Sequence, residues 1–505
     1  MKIEAAKTHS LRLKRLGIDS RNEHLVFMRR DCPECKSEGF EALNRIRVST
    51  ENNEVVASLV VVDGINILGQ NEAGLSEGAV TKLQAREGDV LTFSHLKSLD
   101  SMSDVRRKVF GNALDQDAFT RIIEDIVNLN LSNIQVSAFL TACAGDRLNL
   151  DEIVYLTRSM IDSGQRLHWK TDEIYDKHCI GGLPGNRTTP IVVSIIAASG
   201  LKIPKTSSRA ITSPAGTADM METLTNVDLS VAQIEKIVDE EGGCLAWGGA
   251  VQLSPADDIL IRVERALDID SEGQMIASVL SKKAAAGAKA VVIDIPVGKS
   301  AKVRSMKDAE RLATRLCSTG ESIGLFVEPV ITDGSQPVGR GIGPALEAKD
   351  VLAVLKNEAN APRDLRDRAV SLAGVLLEMA EKTKKGMGRG IALGILESGS
   401  AWEKFKRICI AQGGLKGPPE AEFRREIAAY KDGKITAIDN RRIARLAKLA
   451  GAPAAPAAGI LLNVSIGDAV RSGEKLFELH AMSEGELSYA FDYLADNRDL
   501  IRIER

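Results

Sequence analysis

DKHCIGGLPGNRTTPIVVSIIAASG, residues 176–200, decides how the chain is read. A Gly-rich loop opens directly into an apolar helix. Thr188 or Thr189 is placed to cap that helix, and Pro190 suits its first position. Free backbone N–H groups at a helix start attract anions, helped by the helix dipole. Gly181, Gly182 and Gly185 let the backbone come close to a phosphate. Lys177 and His178, just upstream, add positive charge and a proton donor. The same rhythm of short apolar strand, Gly/Ser/Thr loop and apolar helix returns around 288–297 and 324–330. It predicts an α/β domain with a largely parallel sheet.

A second loop follows about 25 residues on: KTSSRAITSPAGTADMMETL, residues 205–224. Ser207, Ser208, Thr212, Ser213 and Thr217 place five hydroxyls within eleven residues. Arg209 offers a planar fork suited to phosphate, and Gly216 permits close backbone approach. Such a loop suits a phosphorylated or polyhydroxylated ligand. A nucleoside triphosphatase loop is a poor fit. That motif needs Gly, four residues, then Gly-Lys-Ser/Thr. Gly181 is followed by Gly185-Asn186-Arg187 at the wrong spacing, and Gly298-Lys299-Ser300 has Ile293 where the first Gly belongs.

Working outward, 505 residues exceed one ordinary domain; at about 150 residues each, three or four are expected. Residues 1–95 read as a β-rich N-terminal domain. Residues 96–171 and 256–286 carry helical spacing and form a discontinuous helical lobe. Residues 172–255 and 287–430 form the α/β phosphate-binding domain, and 431–505 a C-terminal β-rich module. With 44% hydrophobic and 27% charged residues, a collagen, a coiled-coil rod and a mostly disordered chain are excluded. A net charge of −3 leaves no global basic field for nucleic acid, and 4% aromatics leave few stacking platforms. No apolar run approaches the roughly 20 residues of a membrane span. The charged start lacks the apolar stretch of a signal peptide, and seven scattered cysteines fit reduced thiols and a cytoplasmic protein. Cys32-Pro33-Glu34-Cys35 lacks two further ligands at metal-site spacing, so no metal is expected. HAMSEG, near the C-terminus, offers no lysine for a carrier role.

The two loops resemble those of the thymidine phosphorylase and AMP phosphorylase family. The second fits its Ser-x-Arg-x6-Gly-Thr-x-Asp-x-x-Glu frame, and the long AMP phosphorylase-like branch (the type 2 thymidine phosphorylase subfamily) matches over nearly the whole chain. The resemblance implies phosphorolysis: phosphate attacks C1′ of a nucleotide or nucleoside, and the base leaves. It implies phosphate binding by Lys177, Cys179, Thr189, Ser207 and Thr217. It implies nucleotide binding by Gly182, Ser208, Arg209, Ala210, Ile211, Thr212, Ser213, Thr217, Ser278 and Lys302, with Asp270 as the acid for the base. That acid must stay protonated near neutral pH. For a pyrimidine nucleoside, His178, Ser278 and Lys282 take the base-binding positions, while the family's arginine falls near residues 263–264, beside Arg262 and Arg265. Cys179 stands where the family has serine, and Leu183 where it has valine. AMP, or nucleoside monophosphates generally, is the substrate implied; thymidine is the alternative, and a non-catalytic nucleotide-binding protein the second. The ligands would bind in the cleft between lobe and α/β domain. No cofactor, no nucleic acid and no membrane enter this reading, and the family implies a homodimer or larger assembly.

Overall fold

The computed structural model describes residues 10–504 except 21–22, 65, 97, 211–212 and 270. Two contact units divide the chain. The first holds residues up to Ser159 together with Ala256–Ser271; the second holds Met160–Pro255 and Glu272 onward.

In the first unit, six strands between Ser10 and His95 close into a barrel. Period-2 alternation turns Leu11, Leu13, Ile46, Val48, Ala57 and Leu59 into its interior. Closure leaves this sheet no free edge. Four helices follow: Asp100–Val109, Gln116–Val127, Asn133–Cys143 and Leu150–Asp162. Asp115 and Ser132 cap the second and third through side-chain bonds to Ala118 and Gln135 N–H. The buried Lys108–Glu152 ion pair, 2.6 Å, ties the first helix to the fourth. The helix Pro255–Leu267 groups almost wholly with this unit, whereas Glu272–Ala285 groups with the second.

The second unit is a mixed α/β body. Tyr175–Cys179, Ala290–Val297 and Phe326–Asp333 form a three-stranded parallel sheet, with Ala290–Val297 central. Ile203–Ser207 and Gly243–Trp247 form a second parallel pair. A central strand covered on both faces needs a continuous apolar run, and AVVIDIPV supplies it with one exception, Asp294. The helix Thr188–Ala198 is apolar all round and buried from Thr188 through Ala197. It packs against the helices Arg363–Met379 and Ser400–Ala411 in the largest part of the core. Truncating Ile195 to alanine there would cost about 2–5 kcal/mol. That rigidity fixes the position of the loop at its N-terminus.

The C-terminal module combines a four-stranded and a three-stranded sheet with the helices Asn440–Leu449 and Glu484–Asp496. Its first full strand, Phe423–Ala428, begins a few residues before the expected boundary, and the short strand Gly341–Ile342 adds an edge from far upstream.

Candidate active site

Strand Tyr175–Cys179 aims alternate side chains to opposite faces, so Lys177 and Cys179 share one side and Asp176 and His178 the other. Lys177 is wholly buried, and its Nζ donates to Thr188 Oγ1 at 2.7 Å and Thr189 Oγ1 at 3.3 Å. Burial pushes the ammonium pKa down; Cys179 and Asp294 act against that. The expected capping is corrected here. Arg187 is the N-cap, without a side-chain cap bond, and both threonines lie in the first helical turn with Pro190 third. Their hydroxyls face the Lys177 ammonium instead of backbone N–H groups.

Glycines shape the loop. Gly181, Gly182 and Gly185 all have positive φ, 92°, 79° and 72°. A Cβ on Gly182 would come within 2.5 Å of Lys302 N, so Gly182 and Lys302 are brought together. Cys179 Sγ accepts from Gly181 N–H at 3.4 Å and Asn186 Nδ2 at 3.3 Å. Burial, with Asp294 nearby, pushes this thiol up to about 12, so it stays neutral. Asp294, the exception in the central strand, pairs in register with Cys179. It accepts from Asn186 Nδ2 at 2.9 Å and Thr332 Oγ1 at 2.6 Å.

The second loop is organised by a carboxylate. Asp219 Oδ2 accepts from Ala210 N–H at 2.6 Å and Gly216 N–H at 2.8 Å. Ser213 Oγ closes the turn on Ala215 O at 2.8 Å. Ser207 Oγ is buried with no hydrogen-bond partner among the described residues. An orphaned buried hydroxyl is costly unless a ligand satisfies it. Thr217 opens the helix Thr217–Glu222 and receives Arg187 Nη1 at 3.3 Å. Ser208 is exposed. Arg209 is not open to an anion in this state. Its fork donates to Glu222 at 2.5 and 2.8 Å, approaches Asp219 at 3.4 Å, and lies 4.8 Å over the Trp247 ring. Glu222 and Asp219 raise its pKa further.

On the other face of the strand, buried Asp176 pairs with Lys283 at 2.8 Å and Lys205 at 3.6 Å. Burial holds Lys205 well below the ordinary lysine range. His178 is half-buried, and burial with Lys283, Lys205, Lys282 and Lys177 around it lowers its pKa well below the usual value. It is therefore neutral near pH 7, a one-donor, one-acceptor imidazole. Lys282 Nζ donates to Ser278 Oγ at 3.3 Å on the helix Glu272–Ala285.

Lys177, Cys179 and Thr189 thus lie on one strand–loop–helix unit, Thr217 joins it through Arg187, Gly182 meets Lys302 and Ser278 meets Lys282, whereas Ser208 is exposed. Ile211, Thr212 and Asp270 lie outside the described residues. Sequence reading missed Asn186, Arg187, Asp294, Asp219 and Lys283 as organisers, and with them Glu347, whose buried carboxylate pairs with Arg187. The usable signals among them were a single Asp inside an apolar strand, Asp294, and the fixed Asp of the second-loop frame, Asp219. Among the described residues, no group of three or more His, Cys, Asp or Glu is placed to hold a metal ion. Cys32 instead caps the short helix Pro33–Glu38, its Sγ accepting Cys35 N–H at 3.3 Å. No helix among the described residues is long and apolar enough to cross a membrane.

The chain is similar to known proteins along most of its length. Residues 171–402 match the a/b domain of a glycosyl transferase family, and 105–164 its helical bundle domain. Residues 434–500 match a pyrimidine nucleoside phosphorylase C-terminal domain. A protein of Hahella chejuensis (strain KCTC 2396) named "Putative thymidine phosphorylase" is 55% identical over 493 residues, 97% of either chain. One of the same name from Polaromonas sp. (strain JS666 / ATCC BAA-500) is 54% identical over 98% of this chain and 97% of that one. Among solved structures, an anthranilate phosphoribosyltransferase from Thermus thermophilus superposes with a TM-score of 0.53. It covers 61% of this chain and 99% of that one at 20% identity, a likeness of fold alone.

Proposed function

The chain belongs to the thymidine phosphorylase and AMP phosphorylase family and is a pentosyltransferase of the phosphorylase type, and we propose that its substrates are inorganic phosphate and a nucleoside monophosphate, AMP foremost. The products are the free base and ribose 1,5-bisphosphate. One observation carries the phosphate half: a buried ammonium, Lys177, backing two threonine hydroxyls at the start of a rigid helix. The partnerless Ser207 hydroxyl supports the same reading.

Phosphate held by Thr188, Thr189, Ser207, Thr217 and Cys179 presents one oxygen to C1′. The C1′–O bond forms as the C1′–N bond breaks, and positive charge on the sugar is offset by the placed anion. The departing base takes a proton, which this reading assigns to Asp270. A neutral His178 contributes a hydrogen bond to the base rather than a full proton. Asp270→Asn then lowers turnover about 10²–10⁴-fold, the usual share of a general acid. Near-normal turnover would remove Asp270 from that role.

The nucleotide half is supported by the meeting of Gly182 with Lys302, two positions tied to nucleotide binding by resemblance. Arg209 serves a 5′-phosphate only by exchanging Glu222 for it. A second reading is phosphorolysis of thymidine to thymine and 2-deoxyribose 1-phosphate. It is favoured by the Ser278–Lys282 bond, by Lys282 standing near His178, and by the name borne by the relatives. Base release followed by chromatography decides between them. AMP, CMP, UMP, thymidine, uridine and adenosine are run in parallel, with phosphate-free controls. Phosphate-dependent release from monophosphates alone upholds the nucleotide reading; release from thymidine or uridine alone transfers the assignment to the nucleoside. Nucleotide binding without release would favour a non-catalytic protein. The proposal includes no cofactor, a cytoplasmic location, and a homodimer or larger assembly, the last checked by light scattering on the purified protein.

A further inference from the structure

We infer that Arg187 is a positioning residue for phosphate: it joins the two loops and turns the Thr217 hydroxyl into a committed donor. This rests on the phosphorolysis reading above for the identity of the anion.

Arg187 stands at the junction of the first loop and its helix, as the N-cap residue whose side chain makes no cap bond. Its guanidinium points three ways. Nε meets Glu347 Oε2, Nη2 donates to Ala215 O at 2.8 Å, and Nη1 donates to Thr217 Oγ1 at 3.3 Å. Glu347, on the helix Pro344–Leu355, is 0% exposed. Its other oxygen accepts Gly343 N–H at 3.2 Å, so the carboxylate is held at both ends. That fixes the plane of the fork, and the fork fixes where Thr217 and Ala215 sit relative to the first loop. A lysine has no planar fork and cannot satisfy these directions together.

The chemical consequence concerns one proton. A hydroxyl carries one O–H donor and two acceptor lone pairs. With Arg187 filling a lone pair of Thr217, the proton is left for an acceptor on the far side. A phosphate oxygen is such an acceptor. Lys177 does the same to Thr188 and Thr189. Three hydroxyls are thereby set as donors, each backed by a cation. The positive charge acts through the hydroxyl, and an anion-binding pocket is shaped without a cation tip filling it.

The test compares Arg187→Lys, Glu347→Gln, Thr217→Val and the Arg187→Lys/Thr217→Val double variant with the wild type. Inorganic phosphate affinity is measured by calorimetry, and KM and kcat by base release. Arg187→Lys is expected to raise the phosphate Kd and KM about tenfold or more. The KM of the glycosyl substrate, and kcat at saturating phosphate, should stay within about threefold. Glu347→Gln, which keeps Arg187 but loosens its anchor, should shift phosphate the same way by less, and it serves as the probe if Arg187→Lys does not fold. The double variant should be no worse than Thr217→Val alone, since both changes remove one relay. Unchanged phosphate affinity in Arg187→Lys, or additive losses in the double variant, would overturn the assignment. A wild type that binds phosphate yet releases no base would defeat phosphorolysis alone, and calorimetry would still judge Arg187. A wild type that does not bind phosphate would defeat both.

Discussion

The loops 176–189 and 205–217 look alike in sequence and differ in what their cations meet. Each combines basic residues with at least one glycine and at least two hydroxyls. In the first, Lys177 is buried and hydrogen-bonded to two hydroxyls. In the second, Arg209 is claimed by Glu222 and Asp219 and stacked on Trp247. A cation therefore predicts an anion site only where its outward nitrogens are left to the loop: Glu222 takes both terminal nitrogens of Arg209, whereas Glu347 meets Arg187 only at Nε. Glu222 lies thirteen residues beyond Arg209 and folds back onto it across one turn of loop and a short helix. The cation that does serve the second loop, Arg187, comes from the first.

The sharpest way to break this contrast is Lys177→Met. Removing the cation behind two donors should cut turnover about 10²–10³-fold, the scale of losing an oxyanion partner. A loss under tenfold, with folding intact by circular dichroism, would mean that Lys177 is as uninvolved as Arg209. Arg209→Ala should change the ratio of kcat/KM for AMP to that for adenosine less than about threefold. Its partly exposed ion pair should be worth about 1 kcal/mol or less in urea unfolding. A tenfold loss confined to monophosphates would show that a 5′-phosphate displaces Glu222 and would erase the contrast.

A smaller effect sharpens the environment of the first loop. The folded-state pKa of His178 is depressed, so the unfolded chain binds a proton that the folded chain refuses. The associated stability is present above the ordinary histidine pKa of about 6.5 and is lost as pH falls below it. His178→Gln should therefore lose less stability than wild type between about pH 6.5 and 5.5. Parallel unfolding curves would place the histidine in an ordinary setting. The smallest effect is expected at Cys179. Cys179→Ser keeps an acceptor for Gly181 and Asn186 N–H and should hold activity within about threefold. With its thiol pushed up to about 12, Cys179 should resist iodoacetamide at pH 8 far longer than free cysteine, as read by peptide mass spectrometry. Rapid alkylation would mean a thiolate and a different loop.

Much of this was legible in the sequence because it rests on local patterns. The all-apolar helix from Thr188, the continuous strand from Ala290 and the glycine turn between strand and helix announce themselves by composition. Barrel closure was not legible, since alternation shows which side of a strand is buried but not which strand pairs with which. The partners of the site were hidden for the same reason. Glu347 lies 160 residues from Arg187, and Asp294 lies 108 from Asn186. Thr188 and Thr189 look like caps because hydroxyls before a helix usually are; a buried ammonium two strand residues from Cys179 outbid the backbone for them.

The divided course of the first unit bears on how the chain is made. It leaves that unit at Ser159 and returns only for Ala256–Ser271, with 96 residues of the other unit between. At about 5–20 residues per second, a ribosome holds the barrel and four helices for about 5–20 s before their missing helix emerges. Through that interval the segment that completes the first unit, with its buried Leu260 and Val263, is not yet there to join it. The nascent protein is thus most exposed to chaperones and to misassociation while the strand–loop–helix that bears its chemistry is being synthesised.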